Sequence, residues 1–193
     1  MTQSYWNQDS DPYQYPDSPV LRNIPDIPDQ KALELFEHRA TALRLDEVIQ
    51  AISKSSINLT AWQTIHRTLF QDVYAWAGEI RSVQLAKGST VFAMPEHIEA
   101  EAKRIFNQMA ADDLTDPNRM AYYFGELNVL HPFREGNGRT QKLLFDEIAR
   151  RVEKQIIWSE MGVDELLKAV IAAFHHQDYQ TLEKLFSLAI KPL

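Results

Sequence analysis

The chain has 193 residues, 45% of them apolar and 24% charged, with no cysteine and a net charge of -7. That length can bury one substantial core, while the missing cysteines exclude a disulfide framework, a thiol nucleophile and a thiolate metal site. The negative charge argues against direct binding to nucleic acid or an anionic membrane. With a polar N-terminus and no run of about 18 apolar residues, a cytoplasmic protein is expected.

Residues 1–30 hold five of the nine prolines (Pro12, Pro16, Pro19, Pro25, Pro28), which blocks regular helix and predicts an irregular N-terminal arm. Its aromatic residues Tyr5, Trp6, Tyr13 and Tyr15, with Val20 and Leu21, suggest that it packs along the body. Residues 31–193 read as one domain. Leu33, Phe36, Ala40 and Leu43 mark one helical face, and Ile65, Leu69, Val73 and Trp76 the next. The stretch 80–93 breaks the helical period: Val83 and Leu85 alternate with polar residues, Lys87-Gly88 makes a turn, and Thr90, Val91 and Phe92 follow, which predicts a β-hairpin. Pro95 then opens a helix through Ile98, Ala102, Ile105 and Met109, and Asp116-Pro117 opens another through Met120, Phe124, Leu127 and Leu130. Beyond Arg139, three more faces follow: Leu144, Ile148 and Val152; Leu167, Val170 and Phe174; Leu182, Leu185 and Ala189. The expected fold is all-α, a bundle of about seven helices carrying one small hairpin.

Residues 131–142 read HPFREGNGRTQK and connect two of these helices. Pro132 ends the first. Gly136-Asn137-Gly138 allows positive φ and close backbone approach, so that successive N–H groups can form an anion nest at the start of the next helix. EGNG alone would be an ordinary turn. Around it, however, stand an imidazole (His131), a carboxylate (Glu135) and cations (Arg139, Lys142), which are the groups for proton transfer, metal binding and phosphate clamping. Arg134, Arg139 and Lys142 form a basic patch on the scale of a nucleotide triphosphate. His66 and the His175-His176 pair lack partners at metal spacing and read as structural or surface residues.

The segment resembles the signature of the Fic (filamentation induced by cAMP) family, HxFx(D/E)GNGRxxR. Seven of its eight specified positions match: His131, Phe133, Glu135, Gly136, Asn137, Gly138 and Arg139. Lys142 stands where the family has arginine. DPYQYP with VLRN, IHRTLFQDVYAWAGEIR, and TVFAMPEHI are similar to the arm, the helix before the hairpin, and the flap of the bacterial toxin branch. The resemblance implies a Fic fold in which 31–193 is the catalytic domain and 80–93 the flap. The implied activity is transfer of AMP from ATP to a Ser, Thr or Tyr hydroxyl of another protein. His131 would be the general base and Glu135 the Mg²⁺ ligand. Gly136, Asn137, Gly138, Arg139 and Lys142 would bind the nucleotide, and Phe133 would anchor the loop. Lys87, Gly88, Ser89, Thr90, Val91 and Phe92 would dock an extended segment of the target by strand pairing. DNA gyrase and topoisomerase IV are targets of the branch it resembles. No Ser or Thr is followed four residues later by Glu, the mark of an inhibitory helix, so the resemblance implies a separate small antitoxin. Transfer of another phosphate-containing group, removal of AMP, or non-catalytic partner binding are the alternatives.

Overall fold

Asp29 turns the chain into its first helix by accepting the Ala32 N–H, which caps α1 (Gln30–Leu43). The computed structural model describes residues 11–193, so Tyr5 and Trp6 lie outside the described residues. After the single residue Arg44 comes α2 (Leu45–Ile52), and Asn58 caps α3 (Leu59–Phe70) through the Ala61 N–H. A 3₁₀ turn at Pro95–His97 leads into α4 (Ile98–Ala110). Asp116 caps α5 (Pro117–Leu130), with its proline where a first turn tolerates one. Then come α6 (Asn137–Arg151), α7 (Val163–His176) and α8 (Gln180–Ala189). The centre is formed by α3, α5 and α6: α5 lies against α4, α6, α7 and α8, and α3 against α1, α2, α4 and α6. Among the described residues no helix is long and apolar enough to cross a membrane.

The described helices number eight, one more than the periodicity predicts, because α1 and α2 are separated only by Arg44 and read as one run. Leu43, which the periodicity puts on the first helical face, is 84% exposed at that junction, and Leu167 is also exposed. The second predicted helix stops at Phe70. Val73 and Trp76 are buried as expected, but they sit in successive turns closed by Val73 N–H to Phe70 O and Ala77 N–H to Tyr74 O. Burial spacing alone does not separate a helix from consecutive turns.

The hairpin is shorter than 80–93. β1 (Ala86–Lys87) pairs antiparallel with β2 (Thr90–Val91) in register Ala86 with Val91 and Lys87 with Thr90. The turn is Gly88-Ser89 rather than Lys87-Gly88. A second pair, β3 (Lys154–Ile156) with β4 (Ile190–Pro192), ties the end of α6 to the end of α8, and strands of three residues leave too little alternation to be read in advance. In the arm, Gln14 bridges Leu21 and the Ile24 N–H bonds Val73 O at 2.8 Å. The Tyr13 ring meets Trp76 edge-on at 5.3 Å.

Candidate active site

The last turn of α5 and the first of α6 face each other across six residues, and the site is built there. His131 caps α5 in the left-handed region at φ 42°, a conformation that carries strain for a residue with a Cβ. Its Nδ1 lies 2.9 Å from Asn128 O. A carbonyl only accepts, so Nδ1 carries the proton and Nε2 keeps its lone pair. The ring stacks on Phe92 of the flap at 3.7 Å and 12°. Burial, with Arg81 and Lys87 nearby, pushes its pKa down to about 4, so the imidazole is neutral at pH 7.

The loop is held from beneath. Phe133 is fully buried, stacked on His66 at 4.0 Å and edge-on to Trp62 at 5.7 Å. The Gly78 N–H donates to His66 Nδ1 at 2.8 Å, so Nε2 carries the proton and donates to Glu135 O at 3.0 Å. Burial drives the His66 pKa down to about 3. The Asn137 side chain accepts from Phe133 N–H at 2.9 Å and donates to Phe133 O at 2.7 Å. It therefore locks the loop, and of the nucleotide contacts that the resemblance implies for Asn137 only its backbone N–H is left to offer an anion. Gly136 sits at φ 78°, and a Cβ there would lie 2.4 Å from the Phe70 ring, so this glycine is required on two counts. At Gly138 an added Cβ would meet nothing within 4 Å; the chain itself makes no demand for glycine there. No side chain caps α6, which leaves its first N–H groups aimed outward at the positive end of the helix.

Arg139 lies over the Phe70 ring at 4.8 Å. Its Nη2 is 2.6 Å from Glu37 Oε1 on α1 and 3.6 Å from Glu135 Oε1. Tyr74 donates its hydroxyl to the other Glu37 oxygen, so the guanidinium is held by a buried pair. Glu135 Oε1 accepts the Gly136 N–H at 2.9 Å, yet the side chain stays 45% exposed. Among the described residues no three His, Cys, Asp or Glu side chains gather as a metal cage. A part-exposed carboxylate just before the uncapped start of α6 does fit Mg²⁺, which commonly keeps water and phosphate oxygens as its other ligands.

The predicted residues are not all brought together. Lys142 places its Nζ 5.1 Å from the Trp158 ring, and Arg134 pairs with Asp11 of the arm at 2.7 Å. The predicted basic patch thus reduces to Arg139. Of the flap residues, Lys87, Gly88, Ser89 and Val91 are exposed, Phe92 covers His131, and Thr90 turns inward, its Oγ1 3.0 Å from His175 Nε2. The sequence gives no sign of a role for Tyr74 and Arg81 and only a faint one for Glu37, whereas His66 is structural, as expected, and buried beneath the loop. Glu37 on a helix face that is otherwise apolar at Leu33 and Ala40 was the available signal.

Burial has a consequence for pH. Unfolded histidine titrates near 6.5, so below that value the unfolded chain takes up protons that His66 and His131 refuse. Stability is complete above pH 6.5 and falls as pH drops toward 4 and 3. Asp146, pushed up to about 6 by burial, works the other way: the native state takes its proton first and gains stability below pH 6. One proton net remains, so stability should fall by about 1 kcal/mol per pH unit from 6 to 5. Asp146→Asn should roughly double that slope. Urea midpoints at pH 7, 6 and 5 measure both, and a flat profile in the two proteins would contradict the burial.

Residues 56–149 match the Fic/DOC family. The chain is 36% identical over 177 residues to a probable protein adenylyltransferase, y4lH, of Sinorhizobium fredii, covering 88% of this chain and 91% of that one. It is 34% identical over 155 residues to a probable protein adenylyltransferase Fic of Escherichia coli, covering 77% and 76%. The BepC protein of Bartonella tribocorum, a VirB-translocated effector solved with bound AMPPNP, shares the fold with a TM-score of 0.83. The match covers 94% of this chain and 97% of that one at 20% identity. The matched segment and a relative 36% identical over 91% of its length agree: the chain belongs to the Fic/DOC family.

Proposed function

We propose that this protein transfers the AMP moiety of ATP to a hydroxyl side chain of a target protein. The observation that carries the reading is His131, an imidazole held neutral with Nδ1 occupied by Asn128 O and Nε2 left to take a proton, six residues before the uncapped start of α6. Relatives 36% and 34% identical over most of their length carry the name probable protein adenylyltransferase, which supports ATP as the substrate. The target hydroxyl attacks the α-phosphorus while its proton passes to His131 Nε2. The bond from that phosphorus to the bridging oxygen breaks, and pyrophosphate leaves. The N–H groups of Asn137 and Gly138 turn toward the phosphates, and the absent Cβ at Gly138 gives them room. Arg139, braced by Glu37, takes phosphate oxygens. Lys142 joins it only by leaving Trp158. Glu135 would hold Mg²⁺, which when bound neutralises charge on the departing pyrophosphate. Intact-mass measurement of target proteins incubated with the protein, ATP and Mg²⁺ tests this: a gain of one AMP residue supports it, and unchanged masses count against it.

The flap supplies the target's seat. In a hairpin whose Lys87–Thr90 pair closes the turn and whose Phe92 N–H bonds Leu85 O at 3.0 Å, the intervening Val91 points its N–H and C=O outward, free for an added strand. Val91 is 51% exposed. Val91→Pro removes only the outward N–H, so modification of the target should fall by at least about tenfold, with ATP binding by calorimetry unchanged. Normal modification by this variant would reduce the flap to a connector.

Likeness to the toxin branch, together with the absence of the inhibitory motif from this sequence, supports a role as the toxin of a pair whose inhibitor is a separate small protein. DNA gyrase and topoisomerase IV are the first targets to try, and both would be met in the bacterial cytoplasm.

A further inference from the structure

We propose that Arg81 is a positioning residue that holds the flap in register with His131, so that a hydroxyl docked on β2 meets Nε2. The proposal rests on the AMP-transfer reading. Arg81 is 1% exposed, and no carboxylate pairs with it among the described residues. Its partners are all carbonyls. Nε donates to His131 O at 2.7 Å and Nη2 to Leu130 O at 3.1 Å, at the negative end of α5; Nη1 donates to Val83 O at 2.6 Å and Nη2 also to Ala93 O at 2.5 Å. Val83 and Ala93 are the two stems of the hairpin. The Arg81 backbone N–H reaches Pro132 O at 2.9 Å, and the Ala93 N–H reaches Val129 O at 3.0 Å. One planar group thus joins the end of α5, the catalytic histidine's own carbonyl and both legs of the flap.

The hairpin ladder has two residue pairs, too few to hold its own position. Burying a cation without a counter-ion opposes folding, and apolar side chains could fill the same volume without that penalty. What they cannot do is fix the angle between four carbonyls, which a rigid fork of donors does. The α5 dipole offsets part of the cost, and burial brings the guanidinium pKa down to about 10, so the cation persists at pH 7. Arg81 and Lys87 are the charged groups that face His131, and both favour its neutral form.

Arg81→Lys keeps the charge and loses the fork. In this variant kcat/KM for the target protein should fall at least about tenfold, with ATP affinity by calorimetry held within about twofold. Arg81→Gln removes the charge as well, and the His131 titration followed by NMR should move up by about half a pH unit. A folded Arg81→Lys variant with native turnover, or an unmoved His131 titration in Arg81→Gln, overturns the proposal. Should neither variant fold, the native protein decides: the Arg81 Nε–H and the Phe92 and Ala93 amides should exchange with solvent at matching rates, and much faster exchange of Nε–H overturns it. Failure of the native protein to transfer AMP would defeat the functional reading alone, because the titration and exchange measurements need no turnover.

Discussion

Replacing His131 with alanine should lower AMP transfer by about 10²- to 10⁴-fold, the usual contribution of a positioned general base. The change removes the Nε2 lone pair, the Phe92 stack and the bond to Asn128 O, but none of the bonds that close the 133–137 loop. The left-handed backbone is no easier for alanine than for histidine, so stability should change by only about 1 kcal/mol. ATP affinity should stay as it was. Kinetics with saturating ATP, beside calorimetry on the same preparation, separate the outcomes. Undiminished turnover would remove His131 from the chemistry, and lost ATP binding would show that the loop had collapsed.

Phe133→Ala should be the most damaging single change to the fold of the site. The ring is wholly buried against His66 and Trp62, and truncating such an aromatic costs about 3–5 kcal/mol. That is a large share of the roughly 5–15 kcal/mol by which a domain is stable. The loss is also local to function, because His66, freed from Phe133, is the donor that fixes Glu135 O. Urea unfolding should show the loss, and AMP transfer at a temperature where the variant is still folded should be reduced as well. A drop below about 1 kcal/mol would mean that Asn137 and His66 hold the loop without the ring.

The motif was legible because its residue types are dictated locally. A histidine after a helix, a glycine that must adopt positive φ under Phe70, and a carboxylate beside it lie within a dozen positions of one another. Helices α4, α5, α6 and α8 were legible because each buries a regular apolar face, α5 with a capping aspartate and a proline at its start and α4 with Pro95 in the turn before it. What escaped is set by distance along the chain. Glu37 meets Arg139, Arg134 meets Asp11, and Arg81 meets the His131 carbonyl only after folding, and no spacing rule links such positions. Lys142 reads as part of one basic patch with Arg139, but its long side chain settles on Trp158, a residue sixteen positions away on another element. Asn137 reads as a donor for a ligand until its two side-chain atoms are seen to close on the same residue, Phe133.

The most direct measurement follows which phosphorus of ATP reaches the protein. The native chain and the His131→Ala variant are incubated with bacterial lysate and Mg²⁺, once with ATP labelled at the α-phosphorus and once at the γ-phosphorus. The protein-bound label that the native chain adds beyond lysate alone should come from the α-position, resist separation under denaturing conditions, and fall by at least about 10²-fold with His131→Ala. Label added by the chain from the γ-position, or none from either, would contradict AMP transfer.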